Sequence, residues 1–261
     1  MGYGTVMDGI SFIVRVRNEE QTLEQSLRSL KGLTIPHEII VILHLCTDKS
    51  KEIAESLQNE LPIRIVEFNK KLSRAGYENM ATDATSEHSM VNYCNWCFSH
   101  ALYRWTFKWD ADFIGNESLC EYLNSKTWDT QPSTKIFFNA KSVDTDNCEG
   151  YLFTGNFTFG KHYFWEYHDT PNGWNSVYSD VTIEHLSKLS NYKSYWNEEP
   201  WFMSEGQEES IVRTRYEILQ MFCGDEPIGH ARASDPANNG IHWMVLQHEA
   251  FLRQKGINPT R

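Results

Sequence analysis

The sequence predicts an α/β protein with a mostly parallel central sheet, flanked by helices and extended in its second half by a mixed region. Three observations lead to this prediction. Short β-branched runs alternate with amphipathic helical patterns up to residue 68. Helix-start signals follow the first two runs directly. Beyond residue 116 the alternation gives way to aromatic segments separated by Gly, Asn and Asp.

The first strand and helix set the pattern. ISFIVRV (10–16) is the compact apolar run typical of a strand that is covered on both faces. The helix after it is predicted to take Asn18 as N-cap, with Gln21 three residues later as in a capping box. Gly32 is the predicted terminator, and the leucines that share one helix face are Leu23, Leu27 and Leu30.

The pattern then repeats along the chain. EIIVIL (38–43) and IRIVEF (63–68) predict the second and third strands, and Thr47 or Asp48 can cap the helix between them. Strands and helices that alternate at this spacing imply right-handed crossovers, and therefore a parallel sheet.

A helix is predicted for residues 89–105, followed by a short fourth strand, 106–109, that ends on Asp110 and Asp112. Ligands of open parallel sheets bind beyond the carboxyl ends of the strands. We therefore expect both carboxylates at the same edge as the loops that follow the first two strands.

The second half adds strands at KIFFNA (135–140), GYLFTGNFTFGKHYFWEYH (150–168) and VYSDVTI (177–183), and two late helices at 204–222 and 241–256. No linker or repeat separates the halves. We expect a single domain over 1–261, in which 10–115 bind a nucleotide and 116–261 bind an acceptor.

Composition excludes some classes of protein. The formal net charge of -11 argues against nonspecific binding to nucleic acid, which needs clustered Lys and Arg. No segment approaches the roughly 20 apolar residues that cross a bilayer, and the first residues lack the features of a signal peptide. The sequence therefore predicts a cytoplasmic protein with no transmembrane segment and no nucleic-acid partner.

Two aspartates separated by one residue at a strand end can hold a metal ion. Hard carboxylate oxygens suit Mg²⁺ or Mn²⁺, and such an ion can bind phosphate oxygens and stabilise a departing diphosphate. The alternative is that Asp110 and Asp112 are solvated turn residues. The parallel strand that precedes them favours the metal site.

Three motifs carry a resemblance to a known family. FIVRVRNEEQTLEQSLRSL, HEIIVILHLCTDKSKEIAESL and KWDADF, in this order, resemble the family 2 glycosyltransferases, which have the GT-A fold and use nucleotide sugars. The resemblance covers roughly residues 10–115. It implies a GT-A-like sheet, a nucleoside-diphosphate sugar donor, a divalent metal, and a glycan or other hydroxyl acceptor as partner.

The resemblance also implies roles for individual residues. The loop after the first strand would hold the nucleotide, with Glu19 near the ribose, although an acid there also suits a helix N-terminus. Asp110 would lie near the ribose or metal, and Asp112 would bind the metal directly. Other residues that the resemblance places at the nucleotide are Val14, Arg15, Val16, Arg17 and Arg74.

The second motif departs from the family pattern. Leu43 and His44 stand before LCTD, where many members carry a base-reading aspartate. His44 either takes over the contact with the base or is an ordinary loop histidine.

An inverting transfer needs a base that accepts the proton of the acceptor hydroxyl. In the family this is an acid at the start of a late helix, followed by an Arg. QEESIVRTR fits this loosely, with Glu208 and Glu209 as the acids and Arg215 as the later residue. Rival acids are Asp180, Glu184, Glu198 and Glu199.

The predicted function is therefore sugar transfer from a nucleoside-diphosphate donor, with inversion. Two alternatives remain open. A nucleotidyltransferase would share the fold, but its first loop is usually rich in glycine and RVRNEE has none. A noncatalytic nucleotide- or glycan-binding protein would keep the scaffold without turnover. His185, His230 and His242 could complete a metal site or be structural.

Overall fold

The computed structural model of the chain describes residues 7–73, 82–129, 133–141, 148–154, 160–161, 166–167 and 174–186. The chain divides into two compact units. Unit 1 comprises residues 1–70, 95–158 and 169–191, and unit 2 comprises residues 71–94, 159–168 and 192–261. The single domain predicted over 1–261 stays a prediction.

The described strands are β1 (Met7–Val16), β2 (His37–His44), β3 (Ile63–Phe68), β4 (Tyr103–Asp110), β5 (Phe113–Ile114), β6 (Thr134–Lys141), β7 (Cys148–Thr154), β8 (Gly160–Lys161), β9 (Glu166–Tyr167) and β10 (Asn175–His185). The described helices are α1 (Leu23–Arg28), α2 (Ser50–Leu57), α3 (Met90–Phe98) and α4 (Glu117–Ser125).

The large sheet, in unit 1, has the strand order β3-β2-β1-β4-β7-β6-β10-β5. The first four of these strands are mutually parallel. Strand β7 runs antiparallel to both β4 and β6, β10 is parallel to β6, and β5 is antiparallel to β10. The predicted class is confirmed: a mostly parallel α/β sheet with a mixed second half.

Strand register decides which loops meet. Arg15 of β1 pairs with Ile42 of β2 and with Asp110 of β4, so all three strands end within a few residues of one line. We call this line the carboxyl edge. The loops after β1, β2 and β4 all leave the sheet there, as the parallel arrangement predicts.

An aromatic core lies beneath the carboxyl edge. Phe12, Phe107 and Trp109 are fully buried, and Phe12 stacks on Phe107 with ring centroids 5.3 Å apart. Phe107 stacks in turn on Phe138 of β6, at 5.1 Å. Each ring of this size contributes about 2–3 kcal/mol by its burial, so this cluster anchors the strands that carry the site. Apolar residues of α1, α2 and α4 complete the same core.

Reciprocal hydrogen bonds join the loops after β1 and β2. The Asn18 side-chain oxygen accepts from the Thr47 amide (2.7 Å), and Asp48 Oδ2 accepts from the Glu20 amide (2.9 Å). Glu20 Oε2 accepts from the Lys49 amide in return, at 3.1 Å. These bonds hold the two loops together at the carboxyl edge.

The predicted ends of the first helix are wrong. Asn18 has a left-handed backbone (φ 56°), and α1 begins only at Leu23, so the Asn18 side chain serves the neighbouring loop instead of a cap. The helix ends at Arg28, before Gly32. Its apolar face is as predicted, because Leu23, Leu27 and Leu30 are fully buried.

Two further helix predictions have mixed outcomes. Asp48 Oδ1 accepts from the Ser50 amide at 3.0 Å, so Asp48 satisfies a first-turn donor of α2, although Lys49 is the N-cap. The helix predicted for 89–105 is too long, since α3 ends at Phe98. Trp105 pairs with Ile10 in the sheet and is fully buried, so strand pairing replaces helix there.

Strand β10 contains an irregularity. Tyr178 pairs with Phe137 and Thr182 with Asn139, so four steps along β10 correspond to two steps along β6. The excess residues form a bulge. Beyond it, His185 pairs with Phe113 of β5.

In unit 2, Ser73 and His88 join two described segments. The Ser73 amide donates to the His88 carbonyl (2.9 Å), and His88 Nδ1 lies 2.7 Å from the Lys71 carbonyl oxygen. The late helices predicted for 204–222 and 241–256 lie outside the described residues. Within the described ranges, no helix has both the length and the apolar character required to cross a membrane.

Asn18 provides a test of the loop connection. Asn18→Ala removes the acceptor for Thr47 and places a Cβ-bearing residue of low left-handed propensity at φ 56°. We expect a loss of about 2 kcal/mol in the free energy of unfolding. Asn18→Gly loses only the acceptor and should cost about 1 kcal/mol less. Urea denaturation measures both, and equal stability of the two variants would contradict the backbone argument.

Candidate active site

The aspartate pair lies where the sequence predicts it. Asp110 is the last residue of β4, and Asp112 lies in the two-residue turn that leads to β5. Ser26 of α1 supports this corner, because its hydroxyl accepts from the Trp109 indole (2.9 Å) and donates to the Asp110 carbonyl oxygen (3.5 Å). The turn is thereby tied to the buried face of α1.

Asp110 is paired with cations. The Lys108 ammonium lies 2.8 Å from each carboxylate oxygen of Asp110, and Arg15 is the neighbour of Asp110 in register on β1. Burial alone would raise the pKa of Asp110. The positive charges of Lys108 and Arg15 outweigh it, so the pKa of Asp110 lies below its ordinary value and the group is a carboxylate at neutral pH.

Asp112 is paired with an imidazole. His185 Nε2 lies 3.0 Å from Asp112 Oδ2, and both side chains are mostly buried. The Leu186 amide also donates to the Asp112 carbonyl oxygen at 2.8 Å, which holds the end of β10 beside the turn. Burial lowers the pKa of His185, but its hydrogen bond to Asp112 and the charges of Asp112 and Asp110 raise it more, so the net pKa is raised.

The donor set is of the type that Mn²⁺ or Mg²⁺ takes. Asp110 and Asp112 offer carboxylate oxygens, and His185 offers an imidazole. The other ring nitrogen of His185, Nδ1, is buried and has no hydrogen-bond partner among the described residues. No group of three or more His, Cys, Asp or Glu is preassembled to hold an ion in the described part of the chain. The residues therefore fit a divalent ion in chemistry, with further ligands still required.

His44 is the last residue of β2, and its ring is only 3% exposed. Nε2 lies 2.9 Å from the Lys70 carbonyl oxygen, and the ring packs edge-on against Phe68 at 5.7 Å. Burial and the nearby positive charge of Arg17 lower the pKa of His44 to about 4, so the ring is neutral at pH 7 and donates to Lys70. This geometry favours the structural interpretation of His44, and the role in base contact stays a prediction.

The residues predicted to hold the nucleotide around the end of β1 differ in their surroundings. Val14 is fully buried in the core, so its side chain does not reach the carboxyl edge. Arg17 Nη1 donates to the His44 carbonyl oxygen (3.3 Å), which links the loops after β1 and β2. The Glu19 carboxylate accepts from the Thr22 hydroxyl at 3.4 Å, and its amide donates to the Ser50 hydroxyl at 2.8 Å. Glu19 can therefore still be either a contact of the ribose or an acid that stabilises the start of α1.

Several predicted residues lie outside the described ranges: Arg74, Glu198, Glu199, Glu208, Glu209 and Arg215. Two rival acids are described. Asp180 is exposed within the β10 bulge, and Glu184 is exposed next to His185. The choice of catalytic base therefore stays a prediction.

The site also contains Lys108 and Ser26, which the sequence motifs do not indicate. The signal for Lys108 is its position two residues before Asp110, because side chains two apart in a strand share a face. Ser26 has no comparable signal. Its role depends on a contact between residues 84 positions apart in the chain.

His44 provides a pH test of its buried state. Its folded pKa of about 4 lies below the ordinary 6.5, so the unfolded chain binds the extra proton first and stability falls as the pH drops from 6.5 towards 4. The contribution is about 3 kcal/mol at most. His44→Gln, which keeps an amide donor for Lys70, should lose correspondingly less unfolding free energy between pH 7 and pH 4.5 in chemical denaturation. Equal losses in both proteins would contradict a buried neutral ring.

Three solved structures have a chain course similar to that of this protein. TarS residues 1–349 of S. aureus have 13% identity over 95% of this chain and 74% of that chain, with a TM-score of 0.49. Mannosyltransferase PcManGT from Pyrobaculum calidifontis, in complex with GDP-Man and Mn²⁺, has 16% identity over 97% and 76%, also with a TM-score of 0.49. Glucosyl-3-phosphoglycerate synthase from Mycobacterium tuberculosis has 18% identity over 52% and 44%, at 0.37. All these scores lie below 0.5, so no residue role is transferred from these structures.

The comparison of sequences gives one family. No curated protein matches the chain. Residues 11–87, less than a third of the chain, match the family model described as Glycosyl transferase family 2. This segment contains most of β1, all of β2 and β3, and the two joined loops, and it confirms the resemblance based on the first two motifs. Residues 11–87 of the chain are therefore similar to the glycosyltransferases of family 2.

Proposed function

We propose that the chain transfers a sugar from a nucleoside-diphosphate donor to a glycan or other hydroxyl acceptor, with a divalent metal ion and with inversion. The observation that carries the proposal is the pair Asp110 and Asp112 at the carboxyl edge, beside the loops of the segment that matches the family. The same edge is where open parallel sheets bind nucleotides.

The charges at this edge support a diphosphate ligand. The whole chain is acidic, with a formal net charge of -11, and would repel an anion. At the edge, however, Arg15 and Lys108 lie beside Asp110, and Arg17 lies beside the end of β2. A diphosphate would meet local cations there, and a metal ion would supply the remaining positive charge.

Mn²⁺ or Mg²⁺ would be held by Asp112, with Asp110 and the imidazole of His185 close by. Bound there, the ion supplies Lewis-acid stabilisation of the charge on the departing diphosphate. The chain contributes the rest. The ends of β1 and β2 and the loops that follow them would hold the nucleotide. The proposed contacts there are Arg15, Arg17, Glu19 and His44, with the Val14 and Val16 backbone as their support, and Arg74, which follows β3 in the sequence, is a further proposed contact.

The acceptor would be activated by an acid of the second half. We propose Glu209, with Glu208 as its neighbour, to accept the proton of the attacking hydroxyl; an efficient base must lie within about 3 Å of that oxygen. Asp180 and Glu184 are the described rivals, and Glu184 adjoins His185 at the end of β10.

A thermal-shift panel of nucleoside diphosphates and nucleotide sugars, with and without Mn²⁺, tests the proposal. Ligand at about 100 times its dissociation constant stabilises the folded state by about 2.7 kcal/mol, which raises the melting temperature of a chain of this size by roughly 5–10 °C. We expect one base to give such a rise, and more with Mn²⁺. No response to any nucleotide would contradict the proposal.

Asp112→Asn tests the metal. The amide keeps the shape of the side chain but loses the negative charge, so we expect the Mn²⁺-dependent part of the shift to disappear and sugar transfer to fall at least 100-fold. Asp8→Asn is the matched control, because Asp8 is an exposed partner of Lys126 at the start of β1. A Mn²⁺ response that survives in Asp112→Asn would remove Asp112 as a ligand.

Product analysis separates the alternatives. Release of nucleoside diphosphate with sugar on the acceptor supports transfer. Release of pyrophosphate from a nucleoside triphosphate and a sugar phosphate would indicate a nucleotidyltransferase. Tight donor binding with no turnover for any hydroxyl acceptor, even with Mn²⁺, would indicate a noncatalytic binding protein.

A further inference from the structure

Lys108 has an unusual position for a lysine. It lies on β4 near the middle of the sheet, in register with Ile13 of β1 on one side and Tyr151 of β7 on the other. Its side chain is only 12% exposed. A lysine is rarely buried to this extent without a partner of opposite charge. Among the described residues, Lys108 has such a partner in Asp110, two residues further along the same strand face.

The contact between the two side chains uses both oxygens of the carboxylate. The Lys108 ammonium lies 2.8 Å from Oδ1 and 2.8 Å from Oδ2 of Asp110. An ammonium centred between both oxygens occupies the position from which a metal ion would bind the carboxylate in bidentate fashion. It also cancels the negative charge of Asp110 at close range.

Asp112 is held differently. One of its oxygens contacts His185, and an imidazole is itself a metal-ligand type, whereas an ammonium never is. The two aspartates are therefore not equivalent. A cation that approaches Asp110 meets a fixed positive charge, while a cation that approaches Asp112 meets an imidazole.

We propose that Lys108 is a positioning residue that holds Asp110 by both oxygens and thereby keeps the affinity of the donor-free site for divalent ions low. This inference rests on the proposed metal-assisted sugar transfer. Because Lys108 cancels the charge of Asp110, the metal ion enters the site mainly together with the diphosphate. The diphosphate oxygens then supply the further ligands and the negative charge that the ion needs. Lys108 thus favours binding of a metal ion that is already bound to the donor over binding of the free metal ion.

Titration of the donor-free protein with Mn²⁺, followed by the electron paramagnetic resonance signal of the unbound ion, tests this inference. Lys108→Met removes the charge and keeps most of the side-chain length, and we expect Mn²⁺ to bind roughly tenfold more tightly or better. Lys108→Arg keeps the charge and should stay within about threefold of the wild type. Lys126→Met is the matched control, because Lys126 pairs with exposed Asp8 away from the site, and should bind as the wild type does.

A double variant tests whether Lys108 acts through Asp110. Lys108→Met combined with Asp110→Asn restores the net charge of the pair, so the affinity should return to within about threefold of the wild-type value. Tighter binding that persists in the double variant would overturn the proposal, as would an unchanged or weaker affinity in Lys108→Met. Lys108→Gln serves the same purpose if Lys108→Met does not show the circular dichroism spectrum of the folded chain.

The response to nucleotide distinguishes failure of this inference from failure of the proposed function. The thermal shift on donor addition is recorded for the wild type and Lys108→Met at the same time. An intact donor response with no gain in Mn²⁺ affinity overturns the role of Lys108 alone. If the wild type itself shows no thermal shift on donor addition, the sugar-transfer proposal is overturned, whatever its Mn²⁺ affinity.

Discussion

The parallel register of β1 between β2 and β4 is the constraint on which the site depends. Because Arg15 lies beside both Ile42 and Asp110, three loops from distant parts of the sequence leave the sheet at one edge. The register is fixed by buried side chains on β1, where a slip of one residue would turn Phe12 to the opposite face of the sheet, away from Phe107 and Trp109. The aromatic cluster therefore determines the placement of the charged groups at the carboxyl edge.

Charge at this edge is organised in pairs. Asp110 faces Lys108 and Asp112 faces His185, while the wider chain is strongly acidic. Such pairing satisfies these partly buried carboxylates when no ligand is present. It also means that a ligand must replace the contacts of Asp110 with Lys108 and of Asp112 with His185 by contacts of its own. The site therefore selects ligands by the charges and donor atoms that they supply.

The sequence predicts most of the described sheet and less of the site. Strands β1, β2 and β3 follow from β-branched runs, whose period and length are local properties. Asp110 and Asp112 follow from their place after a strand. The Asn18 cap fails because the side chain of Asn18 finds a better donor in Thr47, a residue of another loop. Ser26 and the pairing of Asp112 with His185 depend likewise on contacts across the fold, which no local pattern encodes.

The bulge in β10 has a consequence for insertions and deletions. Strand β10 gains two residues relative to β6 between Tyr178 and Thr182, and an even number preserves the alternation of faces. His185 therefore reaches Asp112, while Glu184 stays on the opposite face. Deletion of one residue from this stretch would turn Glu184 to the face on which His185 now lies. A third carboxylate would then lie beside Asp110 and Asp112. We therefore expect length changes in this stretch to preserve the contact between His185 and Asp112 only in steps of two, so the length of the strand is a determinant of the site as well as its composition.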